Sequence, residues 1–410
     1  MSKTFRSLQY PNFRLWIAGT TVASIGTWMQ RIAQDWLVLQ VLTDGRGLQM
    51  GIVTALQFVP LLFLAPLTGA LADRVDRRRL LQVTQSMTGV FGLILGVLVI
   101  TETAEIWMVY VLAFCGGVAQ SFDTPARQAF VSELVPQAQL PNAVGLNSSS
   151  FNLARLVGPA VSGFLITWVG IGPIFILNAA FFAVPVVMMA LMKKSDLITP
   201  KRAVEGKRSA REGLRYIGSR PDIILVLVVM GFVSAFGLNF QITSAMMATE
   251  VFGKAADGYG MLGSFMAIGS LSGSLLAARR AHPRLRMIVV AAFLFGVLEA
   301  ALALAPGYWW FALISIPLGL VSLTLITSAN ASVQLSTPPE LRGRVMAIYS
   351  MVFLGSTPIG APIIGWVGET FGARWSLGVG AIACVIVAGI VGLWGMRHRD
   401  MLGHTGSDAS

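Results

Sequence analysis

The chain has 410 residues, 55% of them hydrophobic and only 12% charged, with a mean hydropathy of +0.72. Soluble domains carry about 25% charged residues, so this composition excludes a soluble protein and predicts one that lies in a bilayer. The formal charge of +11 invites a nucleic-acid partner, a reading answered below by where the basic residues fall.

In chain order, apolar runs fall near 13–41, 48–72, 80–101, 106–128, 143–168, 173–192, 222–248, 257–278, 286–305, 308–333, 344–368 and 372–396. A spanning helix takes about 20 apolar residues, so the runs predict an all-α integral membrane protein of twelve helices. The N-terminal MSKTFRSLQYPNFRLW is basic but lacks a short apolar core with a small-residue cleavage site, so no removable signal peptide is expected.

The first run carries the densest polar pattern. Thr20, Ser24, Thr27, Arg31 and Asp35 recur every three or four residues, which places them on one helix face. Gln30 and Gln34 flank it. A polar stripe on a lipid-immersed helix is expected to face a central pathway. Arg31 and Asp35, four apart, are expected to pair. The pair is either a static neutralisation of Arg31 or a protonatable site that Arg31 tunes. Between the second and third runs stands GALADRVDRRRLL (69–81), with Asp73 and four arginines, and the fourth run ends near Asp123 and Arg127.

The fifth run opens on Asn147, Ser148, Ser149, Ser150, Asn152 and Arg155, then reads GPAVSG (158–163). Arg155 either binds an anionic substrate, pairs with an acid or bonds backbone carbonyls. Gly158, Pro159 and Gly163 combine a missing donor with small surfaces, which suits either a bending helix or ordinary close packing. The polar stretch 193–220 separates six helices from six: an N-terminal bundle 1–192, a cytoplasmic linker, and a C-terminal bundle 221–410 with a short tail. Leu214 and Ile217 seat a short helix on the inner leaflet, unless the stretch is simply solvated.

In the second half, Asn239, Gln241, Thr243 and Ser244 in the seventh run and Thr324, Thr327, Ser328 and Asn330 in the tenth are candidate hydrogen-bonding groups of a cavity. Trp28, Trp36, Phe236 and Phe240 suit either an apolar lining or plain core packing. Glu299, in the ninth run, is expected to snorkel or pack rather than couple transport. Cys115 and Cys384 form no CxxC pair, so neither a disulfide framework nor a zinc site is supported. His282, His398 and His404 fall outside the apolar runs, which leaves carboxylates as the candidate proton carriers. No GxxxxGK[ST] loop is present, and no cofactor, metal cluster or nucleophile–base pair stands out.

With the N-terminus placed in the cytoplasm, only Arg46, Lys254 and Arg374 reach outer loops, and Arg31 and Arg155 lie within runs. The rest of the 30 basic residues lie in inner segments. This is the positive-inside pattern. It predicts a plasma- or inner-membrane protein with both termini cytoplasmic and accounts for the charge without nucleic acid.

The halves echo each other: ELVPQAQLPNAVGL (133–146) against QLSTPPELRGRVMAI (334–348), and GPAVSG against GAPIIG (360–365). Such duplication marks transporters with pseudo-symmetric halves. GALADRVDRRRLL resembles the loop signature of the major facilitator superfamily, and GPAVSG resembles the antiporter motif of its fifth helix. DTPARQAFVSELVP (123–136) and TPPELRGRVMAIYS (337–350) are similar to its drug and siderophore exporters, a subgroup that includes the enterobactin exporter. Asp76 replaces the usual glycine of the loop, and VLAFCGG (111–117) lacks the fourth-helix arginine of many proton-coupled relatives.

The resemblance implies two six-helix bundles and a conformational latch. Gly69 allows close approach, and Asp73 meets a helix N-terminus, by resemblance that of the eleventh helix. Arg77 is expected to bridge Asp73 to Asp123, with Arg74, Arg78 and Arg127 beside them; alternatively the arginines only set topology. AARRAHPRLR (277–286) has no Asp, so the latch is expected on one side only. The function expected is proton-coupled efflux of a small organic molecule by a monomer. The rivals are uptake or lipid transport on the same fold, and a non-transporting receptor or assembly factor.

Overall fold

The computed structural model describes residues 3–198, 210–278 and 285–397; side chains at a few helical positions, Asp73 and Arg74 among them, also lie outside the described residues. All regular structure within them is helical. In order it comprises α1 (Pro11–Trp36), α2 (Gly47–Arg74), α3 (Arg77–Ile100), α4 (Ile106–Leu134), α5 (Leu140–Val169) and α6 (Gly172–Leu191). Then follow α7 (Ala210–Gly218), α8 (Pro221–Phe232), α9 (Phe240–Met246), α10 (Ala256–Ala278), α11 (Leu285–Ala303), α12 (Tyr308–Leu335), α13 (Pro339–Gly355), α14 (Thr357–Phe371) and α15 (Ala373–Arg397). Helices keep their backbone bonds internal, as hydrocarbon demands.

Among the described residues, 10 helical stretches are long and apolar enough to cross a membrane. Helices α1 and α10, of similar length, bring the set to the twelve expected from the sequence. The polar stripe is what lowers the apolarity of α1. Its continuation, Leu37–Leu42, is a π-helical turn. The seventh run is interrupted twice, by π-helical turns at Val233–Gly237 and Met247–Val251.

The chain divides into two compact units. The first comprises Met1–Asp44, Leu56–Val204 and Lys254–Ser264. In it α1 packs on α5 and α6, and α3 packs on α4 and α6. Its core joins the start of α1 to the ends of α4 and α6 through Phe13, Trp16, Phe130, Leu134 and Met189, with Trp16 and Phe130 edge to face at 5.2 Å. Polar caps fix the helix ends. Asp76, where the loop signature usually has glycine, accepts from the backbone N–H of Arg79 at 3.2 Å and so caps α3. A carboxylate there also suits the positive end of the helix dipole. Arg78 donates to the carbonyls of Met192 and Ala190 at 3.1 and 2.9 Å, closing the C-terminal end of α6.

The second unit comprises Gly45–Ala55, Glu205–Gly253 and Phe265–Ser410. Here α11 packs on α12 and α15. The short helix expected from Leu214 and Ile217 is α7, and it docks on protein. Tyr216 donates from its hydroxyl to the Ser336 carbonyl at 3.0 Å, Arg344 pairs with Glu212, and Ile217 is buried while Leu214 is exposed. The internal echo extends to backbone conformation. Gly170 ends α5 at φ 81° and Gly372 ends α14 at φ 96°, values open to glycine but strained for other residues.

Candidate functional site

Small residues in the first unit let α5 approach two neighbours. A Cβ on Gly158 would lie 2.6 Å from the Trp28 Cβ in α1, and one on Gly163 would lie 2.5 Å from the Ala256 carbonyl oxygen of α10. Ser162 donates to Met29 O at 2.9 Å, and Ser264 donates to Leu156 O at 2.7 Å. Helix α5 runs unbroken through Pro159, so the three hinge candidates all serve close packing in this structure. That packing places Arg155 against α1 and brings the first turns of α10 to the end of α1.

The result is a charged cluster on one face of α1. Asp35 is 7% exposed and accepts a hydrogen bond from the Tyr259 hydroxyl at 2.8 Å. The Arg31 guanidinium lies over the Trp28 ring at 5.3 Å, and Arg155 lies over the same ring at 5.6 Å. The expected Arg31–Asp35 pair therefore gives way to an Asp35–Tyr259 bond, and both arginines turn to an indole. Neither arginine forms an ion pair or hydrogen bond among the described residues. Trp28 Nε1 and Gln34 Nε2 are buried without acceptors. Gln30 instead ties α1 to α6, its carbonyl accepting from Asn178. Higher on the stripe, Thr20 and Thr27 return their hydroxyls to the Trp16 and Ala23 carbonyls of their own helix.

The latch residues form ties within the first unit. Arg77 donates to Glu133 at 2.7 Å, the two side chains being 14% and 15% exposed. Asp123 accepts from Thr84 at 2.9 Å, Gln85 at 2.6 Å and Arg127 at 2.8 Å, and Arg127 also lies 5.8 Å from the Trp16 ring. Asp123 thus takes its cation from its own helix, and Arg77 takes an acid that sequence reasoning passed over. The side chains of Gly69, Asp73 and Arg74 lie outside the described residues, as does the loop 279–284.

In the second unit the candidates are mostly self-contained. Asn239 donates to the Ala235 carbonyl at 2.7 Å, a carbonyl of the π-helical turn before α9. Thr243 and Thr327 bond within their own helices, and Phe240 stacks on Phe311 at 6.3 Å. Glu299 does not snorkel. It is 2% exposed, its partner is the Cys384 thiol at 4.0 Å, and a Cβ on Gly380 would lie 2.8 Å from its Oε2. Two glycines, Gly237 and Gly380, make room for this carboxyl.

Sequence reasoning missed Tyr259, Glu133, Gln85 and the cation–π role of Trp28. Only the last had a usable signal: Trp28 precedes Arg31 by three residues, hence shares its face.

Comparison with known proteins places this geometry in context. A family profile described as transmembrane secretion effector matches residues 2–408. The staphyloferrin A transporter of Staphylococcus aureus is 24% identical over 88% of this chain and 91% of its own. Macrolide efflux protein A of Streptococcus pyogenes is 23% identical over 92% and 94%. The crystal structure of a bacterial homolog of the human lysosomal transporter Spinster, inward-facing and occupied, superposes with a TM-score of 0.71 at 15% identity, covering 100% of both chains.

Proposed function

Because the chain belongs to the transmembrane secretion effector family of major facilitator transporters, we propose that it exports a small organic molecule in exchange for protons by alternating access. It is a multi-pass transporter, not an enzyme. The finer reading rests on one observation: a carboxylate, Asp35, buried in a bilayer helix and held by Tyr259 beside two guanidiniums. A charged acid at a helix centre costs about 3 kcal/mol, so its retention calls for a task. Asp35 takes a proton from outside and releases it inside, and proton and substrate occupy the cluster in turn. At 100 mV one proton delivers about 2.3 kcal/mol, enough for about a 50-fold substrate gradient. Macrolide efflux protein A supports the outward direction.

In this reading the site is open to one side of the membrane at a time, and the monomer sits in the plasma or inner membrane with both termini cytoplasmic. The latch and the α5 hinge remain part of the proposal, as pieces that move between states. The test uses everted vesicles. A screen of candidate drugs and siderophores identifies a substrate whose uptake requires the chain; that uptake should collapse when the proton gradient is dissipated and should vanish in Asp35→Asn. Uptake indifferent to the gradient would reject proton coupling, and accumulation only in right-side-out vesicles would reject export.

A further inference from the structure

The cluster on α1 and α5 is rich in donors and poor in acceptors. Two guanidiniums, Trp28 Nε1 and Gln34 Nε2 all lack acceptors among the described residues. Trp28, Arg31 and Gln34 are spaced by three, so they project from one side of α1. The acid of the cluster, Asp35, spends a lone pair on the Tyr259 hydroxyl and forms no ion pair with either arginine. Both cations lie against one indole, at 5.3 and 5.6 Å from its centroid. Like charges at such range repel each other, the more so in a low dielectric. The indole offsets only part of this, since a cation–π contact contributes about 0.5–2 kcal/mol.

We propose that Arg31, Arg155 and Trp28 form a receptor for a carboxylate carried by the transported molecule. Counting charges gives the class. Two guanidiniums and one carboxylate leave one positive charge, which a monoanion cancels and a cation doubles. The guanidinium fork presents paired N–H groups matched to the two oxygens of a carboxylate. Trp28 Nε1 and Gln34 Nε2 supply further donors on the same side. A doubly charged phosphate monoester would overshoot neutrality. Asp35 and the substrate carboxylate then neutralise the two guanidiniums together. The inference rests on the transport reading but not on its direction or its coupling ion.

The experiment measures binding, not transport. The full chain is placed in nanodiscs of phosphatidylcholine alone, so that no anionic lipid headgroup competes. Naphthoate and its uncharged amide are compared by thermal shift and titration calorimetry. Naphthoate should raise the unfolding temperature and the amide should not. Arg31→Gln and Arg155→Gln should each weaken naphthoate binding about tenfold or more, the expected loss of a charge-assisted bond. If a glutamine variant fails to fold, the lysine variant at the same site keeps charge but loses the fork, and should bind between wild type and loss. Adding phosphatidylserine to the discs should weaken naphthoate binding if a lipid headgroup shares the site and leave it unchanged if the substrate alone uses it; the receptor stands either way. Equal shifts from acid and amide, no shift from naphthoate, or unchanged affinity in both arginine variants would overturn the receptor. Vesicles that ignore the proton gradient while binding still follows the arginines would remove only the coupling.

Discussion

Replacing Asp123 with alanine should cost about 3–6 kcal/mol of stability, and the figure follows from its three partners. The Arg127 pair at 2.8 Å involves an acid 4% exposed and a cation 26% exposed, and a hydrogen bond to a charged group contributes about 1.5–3 kcal/mol. Gln85 donates at 2.6 Å, a second bond of the same class, and its own Oε1 already lacks a partner. Thr84 adds little, because its hydroxyl also has the Leu81 carbonyl at 3.1 Å. Arg127→Ala removes the pair and the contact with Trp16, the latter worth about 0.5–1 kcal/mol. Once Asp123 is gone, only that contact is left to lose. Arg127→Ala should therefore cost about 2–4 kcal/mol in the wild type and about 0.5–1 kcal/mol in Asp123→Ala, a coupling typical of neighbours in one network. The measurement is SDS-titrated unfolding in mixed micelles followed by tryptophan emission, to which Trp16 contributes. Equal costs for Arg127→Ala in the two backgrounds would show that the pair does not hold the unit together.

Further outcomes are expected from the same assay. Gly158→Ala should cost about 1–3 kcal/mol by forcing a methyl against Trp28, whereas Gly116→Ala, with nothing within 4 Å, should be neutral or stabilising; the reverse order would contradict the packing of α5 on α1. Tyr259→Phe should cost about 1.5–3 kcal/mol, because it strips Asp35 of its hydroxyl donor; an unchanged midpoint would mean that water replaces the hydroxyl freely. Arg78→Met should lower stability by about 2–4 kcal/mol through the exposed end of α6. Glu299→Gln should cost under about 1 kcal/mol, since no cation among the described residues depends on it, and Glu299→Lys should abolish folded expression. A well-folded lysine variant would show that the carboxyl sits in a wetter place than its 2% exposure implies.

The fold was legible because its signals are local. Apolar runs, the basic loops between them and the duplicated GPAVSG and GAPIIG motifs can each be read within a few residues. The polar face of α1 was legible for the same reason, since helical spacing alone puts Arg31 and Asp35 together. What the sequence hid were long-range partners. Tyr259 lies 224 positions from Asp35, in a glycine-rich stretch that reads as helix packing. Glu133 lies 56 positions from Arg77, in a segment noted for its repeat and its resemblance rather than for an ion pair. Local spacing also misled: four residues allow Arg31 to meet Asp35, but Asp35 bonds Tyr259 and Arg31 lies over Trp28. Asp76, a departure from the loop signature, turned out to be a helix cap, a role that depends only on its own turn.

The π-helical turn at Leu37–Leu42 changes how the first helix should be counted. Such a turn holds one residue more than the helix around it, and each residue of an α-helix advances by about 100°. A periodicity that runs true from Thr20 to Asp35 therefore drifts through Leu37–Leu42. Cysteine or spin-label positions selected within Leu37–Leu42 by adding fours would report about a quarter-turn off the intended face, and so would an alignment that treats this stretch as gapless against a relative without the extra residue.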